Sequence, residues 1–204
     1  MKNDKKDANI VDEPSSTYGS YSYADYLTWD LEGAVELIKG KIFRQAAAPR
    51  RIHQEVSFKV ARLLADFLEG KKCKTFIAPF DVRLTTRSQK NEEIDTVVQP
   101  DICVVCDWEK LDEMGCIGAP DLIIEILSQG NNQTELINKY NIYEESGVKE
   151  YWIIHPAEQT VFIYTLIDDK YVPSKLFTKG HQVTSSVLIG FELNLDRVFE
   201  GLTY

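Results

Sequence analysis

Thr96–Cys106, TVVQPDICVVC, and Ala119–Ser128, APDLIIEILS, are apolar runs that each carry an acid where a core strand should not. Asp101 interrupts the first and Glu125 the second. The Val and Ile content reads as two strands buried on at least one face. A carboxylate in such a run needs a metal ion, a cation or several hydrogen bonds, because burying it unpaired is costly. Strand parity puts Asp101, Cys103 and Val105 on one face, and Asp121, Ile123, Glu125 and Leu127 on one face of the other run. If the strands are neighbours, Asp101 and Glu125 converge on one cation. Oxygen ligands of this kind suit a hard divalent ion such as Mg²⁺ or Mn²⁺. The competing reading leaves each acid at a strand end or facing solvent.

Around these runs the pattern alternates helix and strand. Ser22 and Asp25 form a capping box for a short helix ending near Trp29. Glu36–Ile38 and Lys41–Ala46 read as a hairpin turning at Lys39-Gly40. A helix follows Pro49 and stops near Gly70, with Val56, Val60, Leu63, Leu64 and Phe67 at helical spacing. CKTFIAPFDVRLT is a strand broken at Pro79, and a polar loop leads into the first acidic strand. After the second acidic strand, Asn131–Glu145 reads as a helix ending before Gly147. EYWIIHP, VFIYTLI and DDKYVPSKLF then give successive strands. The class expected is α/β, with a mixed central β-sheet flanked by helices. Residues 1–20 are expected to be a disordered leader and 21–204 one domain.

In the helix after Glu125, Leu136, Tyr140 and Tyr143 mark the buried stripe and Lys139 borders it. Its ammonium either snorkels to solvent or points at the carboxylate pair. Glu36, between Val35 and Leu37, is a candidate third acid. His53 opens the long helix beside Arg50 and Arg51 and is expected at the surface, within reach of a phosphate. No serine or cysteine sits in a nucleophile-elbow context, and there is no glycine-rich phosphate loop.

Composition sets the outer bounds. The chain has 204 residues, 44% hydrophobic and 27% charged, ordinary for a single globular domain. No apolar run approaches the roughly 20 residues of a membrane helix, and the N-terminus lacks a secretory signal. A cytoplasmic protein with reduced cysteines is expected. Cys103 and Cys106 point to opposite strand faces, which argues against a zinc pair. The net charge of −9 speaks against a protein coated with basic residues. A local basic patch remains open along residues 39–74, including Arg50, Arg51 and Arg62.

The strings ELIKGKIF, QPDICVVCD, GAPDLIIEILS, K-x-x-x-Y at Lys139 and Tyr143, and GVKEYWIIHP together resemble the Uma-two family of restriction-endonuclease-like proteins, within the PD-(D/E)XK nuclease superfamily. The resemblance runs from about Tyr21 to the C-terminus. It implies a restriction-endonuclease-like fold and Mg²⁺- or Mn²⁺-dependent hydrolysis of DNA phosphodiester bonds. Pro100-Asp101 matches the PD motif and Glu125 the second acid, making Asp101 and Glu125 the implied metal ligands. Leu127 occupies the place of the superfamily lysine, and Lys139 is the implied substitute. Glu36 matches the glutamate of the first hairpin. The catalytic set implied is Glu36, Asp101, Glu125 and Lys139, with Arg50 and Arg51 toward the substrate. Cutting both strands would suit a homodimer. The chain departs from the family pattern at Ser128-Gln129, where Ser-Pro is usual, and at Lys39, where an aspartate is usual. The alternative is a nuclease fold without cleavage, serving to bind DNA or protein.

Overall fold

A computed structural model describes residues 20–30, 35–44, 50–85, 88–128 and 133–202. The expected leader, apart from Ser20, lies outside the described residues. The chain forms, in order, α1 (Tyr23–Tyr26), β1 (Val35–Ile38), β2 (Lys41–Arg44), α2 (Arg51–Leu68), β3 (Lys74–Ile77), β4 (Val82–Arg83), β5 (Val97–Val98), β6 (Ile102–Val105), β7 (Leu111–Asp112), β8 (Gly115–Ile117), β9 (Leu122–Ile126), α3 (Gln133–Ser146), β10 (Glu150–His155), β11 (Thr160–Ile167), β12 (Lys170–Pro173), β13 (Phe177–Thr178), β14 (Gln182–Thr184), β15 (Glu192–Asn194) and α4 (Leu195–Phe199). The α/β class and the flanking helices follow the expectation. The sheet does not stay single. One sheet runs β12-β11-β10-β9-β6-β3, with β13 also paired to β11, and a second runs β2-β1-β5-β4-β8-β7. Each is mixed: β9–β10 and β4–β8 are parallel and the other pairs antiparallel.

The larger sheet is covered on both faces, which is why β9 reads as an almost unbroken apolar run. Ile102, Val104, Leu122, Ile124 and Ile126 pack with Val56, Val60, Leu64 and Leu68 of α2 and with Val198 and Phe199 of α4. Cys103, Val105, Ile123 and Tyr151 point the other way. There they meet Ile142 and Tyr143 of α3 and Ile38, Val82 and Val98 of the second sheet. The alternation in sequence therefore sorts residues between two cores.

Local turns hold these layers in register. The β1–β2 hairpin turns at Lys39 and Gly40 with φ of 50° and 74°. Positive φ at both central residues matches the twist of the paired strands. A Cβ on Gly40 would lie 1.8 Å from Ser20 Oγ, so the close approach also requires glycine. At the end of α3, Gly147 takes φ +83° and Val148 N–H donates to the Tyr143 carbonyl at 3.0 Å. This closes the helix and aims the chain into β10. The buried stripe of α3 is Lys139, Ile142 and Tyr143, with Leu136 and Tyr140 only half-buried. The stripe is thus rotated from the expected one, and Lys139 lies inside it.

The expectation of reduced cysteines is corrected at one pair. Cys73 and Cys106 form a disulfide, and Cys103 and Cys116 are free and buried. The β3–β6 register pairs Lys74 with Val105, so one further step sets Cys73 opposite Cys106. Burial raises the Cys103 and Cys116 thiols, the latter to about 12. No described helix is long and apolar enough to cross a membrane.

Candidate active site

The antiparallel pairing of β6 and β9 brings the two acids together. Ile102 is paired with Ile124, so the next step places Asp101 opposite Glu125. Asp101 itself lies just before β6, and its charge acts on Glu125. Ile126 N–H donates to Asp101 Oδ2 at 2.7 Å, which ties the acid of one strand to the backbone of the other.

Glu125 is 7% exposed and Lys139 3% exposed. Lys139 Nζ lies 2.9 Å from Glu125 Oε1 and 3.0 Å from Glu36 Oε1. The ammonium therefore bridges an acid from each sheet. Tyr143 OH donates to Glu125 Oε1 at 2.6 Å. Lys139 and Tyr143 lie four apart on α3, so one helical face presents both donors. Glu36 shares its strand face with Ile38, toward the space between the sheets, and also accepts from Gln99 N–H at 3.0 Å. The Gln99 amide is itself held, donating to Asp81 Oδ1 at 2.8 Å and Tyr26 OH at 3.2 Å. Tyr23 OH donates to the same aspartate at 3.0 Å.

Two acids meet Lys139 here, and Asp101 lies close enough for its charge to act on Glu125. Glu125 is pushed up to about 7, first by burial, then by the charges of Asp101 and Glu36, with Lys139 and Tyr143 opposing. Burial alone would lower the Lys139 ammonium, but Glu125 and Glu36 outweigh it and hold it well above its usual range. Burial and the neighbouring Glu125 keep the Tyr143 hydroxyl protonated.

His53 departs from expectation. It is 8% exposed, and its Nε2 lies 3.0 Å from Asp101 Oδ1. A legible signal existed: His53, Val56, Val60 and Leu64 recur at helical spacing, so the histidine belongs to the buried face of α2. Arg50 occupies the N-cap position of that helix without a side-chain capping bond and Arg51 opens it; both are exposed, and Arg51 pairs with Glu55.

Among the described residues, no group of three or more His, Cys, Asp or Glu is arranged to hold a metal ion. A closed cage is thus not formed, and Glu36 is engaged by Lys139 and Gln99 instead. The opposed Asp101 and Glu125 still fit Mg²⁺ or Mn²⁺ as a pair. Such ions commonly take one or two carboxylates and complete their shell with water and phosphate oxygens.

Comparison with known proteins agrees with this architecture. A solved structure from Anabaena variabilis, titled a "putative nuclease belonging to DUF820", superimposes with a TM-score of 0.70 and 24% identity, over 88% of this chain and 97% of that one. At that identity the likeness concerns the fold. No curated protein matches the sequence. The model of the Uma2 family, described as "Putative restriction endonuclease", matches residues 23–196, and the chain belongs to that family.

Proposed function

We propose that the chain is a divalent-metal-dependent nuclease that hydrolyses phosphodiester bonds of DNA. The observation that carries this reading is the pair Asp101 and Glu125, opposed across β6 and β9 with the buried Lys139 ammonium on Glu125. Asp101 and Glu125 would hold Mg²⁺ or Mn²⁺. Such an ion, when bound, acidifies water and offsets phosphate charge. Lys139 has three hydrogens and contacts Glu36 and Glu125, so it can offer one to a substrate oxygen. A fixed ammonium in a dry site stabilises developing phosphate charge strongly, because it needs no reorganisation during the reaction. Tyr143 holds Glu125 in place from the same helix. Glu36 holds Lys139 from the opposite sheet. Arg50 and Arg51 would meet phosphates beside the cleft and offset locally the net charge of −9.

A second reading, a nuclease fold without cleavage, draws on a specific feature. Both Asp101 oxygens are already engaged, one by His53 and one by Ile126 N–H. The deciding experiment incubates supercoiled plasmid and single-stranded DNA with the protein and Mg²⁺ or Mn²⁺. Cleavage that stops with a chelator and is absent in Asp101→Ala is expected. No cleavage of either DNA, with Mn²⁺ binding absent by calorimetry, would favour the second reading.

A further inference from the structure

We infer that His53 is a positioning residue for Asp101, acting through its Nε2–H to fix the carboxylate's orientation beside β9; this rests on the nuclease reading above. Asp101 follows the PD proline and precedes β6, and its carbonyl accepts from Ala78 N–H at 3.1 Å. Its side chain is held by two donors from different elements. Ile126 N–H takes Oδ2 at 2.7 Å, from β9. His53 Nε2 takes Oδ1 at 3.0 Å, from the first turn of α2. A carboxylate gripped at both oxygens cannot rotate about its last bond without losing one contact. Its remaining lone pairs therefore keep a fixed direction.

The chemistry of the pair assigns the tautomer. A carboxylate oxygen accepts, so the Nε2 that faces Asp101 Oδ1 at 3.0 Å carries the hydrogen. His53 Nδ1 is buried and has no hydrogen-bond partner among the described residues. The imidazole is thus committed to one contact, that with Asp101. Packing explains why the ring stays put: Val56, Val60 and Leu64 continue the same face of α2 into the core. The arrangement parallels a general habit of cation-binding carboxylates, whose outer hydrogen-bond partners fix their orientation and change affinity for the ion when removed.

The test compares two substitutions of similar size. His53→Gln places an amide N–H near the position of Nε2 and can still donate. His53→Met fills the space but cannot donate. Mn²⁺ affinity is measured by calorimetry on the whole protein, alongside Asp101→Ala. His53→Met is expected to weaken Mn²⁺ by about 10- to 100-fold, with His53→Gln restoring most of it. A long-range ¹H–¹⁵N spectrum of the metal-free protein should show the Nε2-protonated ring, with that signal shifted in Asp101→Ala. A space-filling role alone would accept methionine in this buried place at least as well as glutamine. Equal Mn²⁺ affinity for His53→Met and wild type, with Asp101→Ala weakened, overturns the role of His53 and leaves the nuclease reading standing. Unchanged affinity in Asp101→Ala overturns both. Thermal unfolding of each variant identifies misfolding. Should His53→Met not fold, His53→Gln and the ring spectrum decide: an Nδ1-protonated ring in wild type overturns the inference.

Discussion

Replacing Lys139 with methionine keeps most of the side-chain volume and deletes the charge between Glu36 and Glu125. Lys139 is 3% exposed and lies within 3.0 Å of both carboxylates. Removing one partner from a buried ion network typically costs about 3–5 kcal/mol, because the remaining charge is left uncompensated. For a domain of this size that corresponds to a drop in Tm of about 6–20 °C, at about 2–4 °C per kcal/mol. The loss should also depend on pH. Burial already pushes Glu125 up to about 7, with Lys139 opposing. Without the lysine, Glu125 rises further. A carboxyl whose folded pKa exceeds its unfolded value of about 4.3 contributes stability fully present below that value and lost as pH rises through the folded pKa. The deficit of Lys139→Met relative to wild type should therefore be small at pH 5 and grow toward pH 8. Urea unfolding of both proteins at a series of pH values measures it. A deficit that is constant with pH, or absent at pH 8, would refute the claim that Lys139 compensates Glu125.

Two further variants, one single and one double, separate stability from function. Glu150 is buried and accepts from Trp152 Nε1, Ser185 Oγ, and Ser186 N–H and Oγ. Glu150→Gln turns one acceptor into a donor and should cost about 1.5–3 kcal/mol in urea unfolding while leaving Mn²⁺ affinity unchanged. For the proposed substrate face, substituting Arg50 and Arg51 with alanine should flatten the salt dependence of DNA binding by about two units, roughly one per phosphate contact. Fluorescence anisotropy across a salt series reads that slope, and an unchanged slope places the DNA elsewhere.

The acidic positions were legible because a charge inside an apolar run violates the pattern that burial imposes. Asp101 and Glu125 stand out for that reason, and strand parity alone puts each on a definite face. The division of the sheet was not legible. β4, β5 and β7 are two residues long, too short to show any period. The disulfide was hidden for a related reason. Cys73 and Cys106 are separated by 33 positions, and only the β3–β6 register sets them opposite each other. His53 stood within reach of sequence reasoning, since it continues the Val56–Val60–Leu64 stripe. Its polarity and the arginines beside it suggested the surface instead.

In the nuclease reading proposed here, Lys139 would supply from α3 the charge that the resemblance leads one to expect from the strand. The position two residues after Glu125 is Leu127, whose N–H bonds to the Ile154 carbonyl at 2.8 Å and continues the β9–β10 pairing. A lysine there would have to reach back along its own strand to Glu125. From α3, which packs against that face, a lysine approaches the same carboxylate across the layer instead. Its stem then adds to the packing around Ile142 and Tyr143. The change of origin has a consequence. A strand lysine is fixed by the sheet, whereas Lys139 depends on the docking of α3, and so on Tyr143 and the turn at Gly147. Stability and site geometry are therefore coupled through one helix. Loosening α3 should disturb Glu125, Glu36 and the ammonium between them together, even where no residue of the site itself is changed.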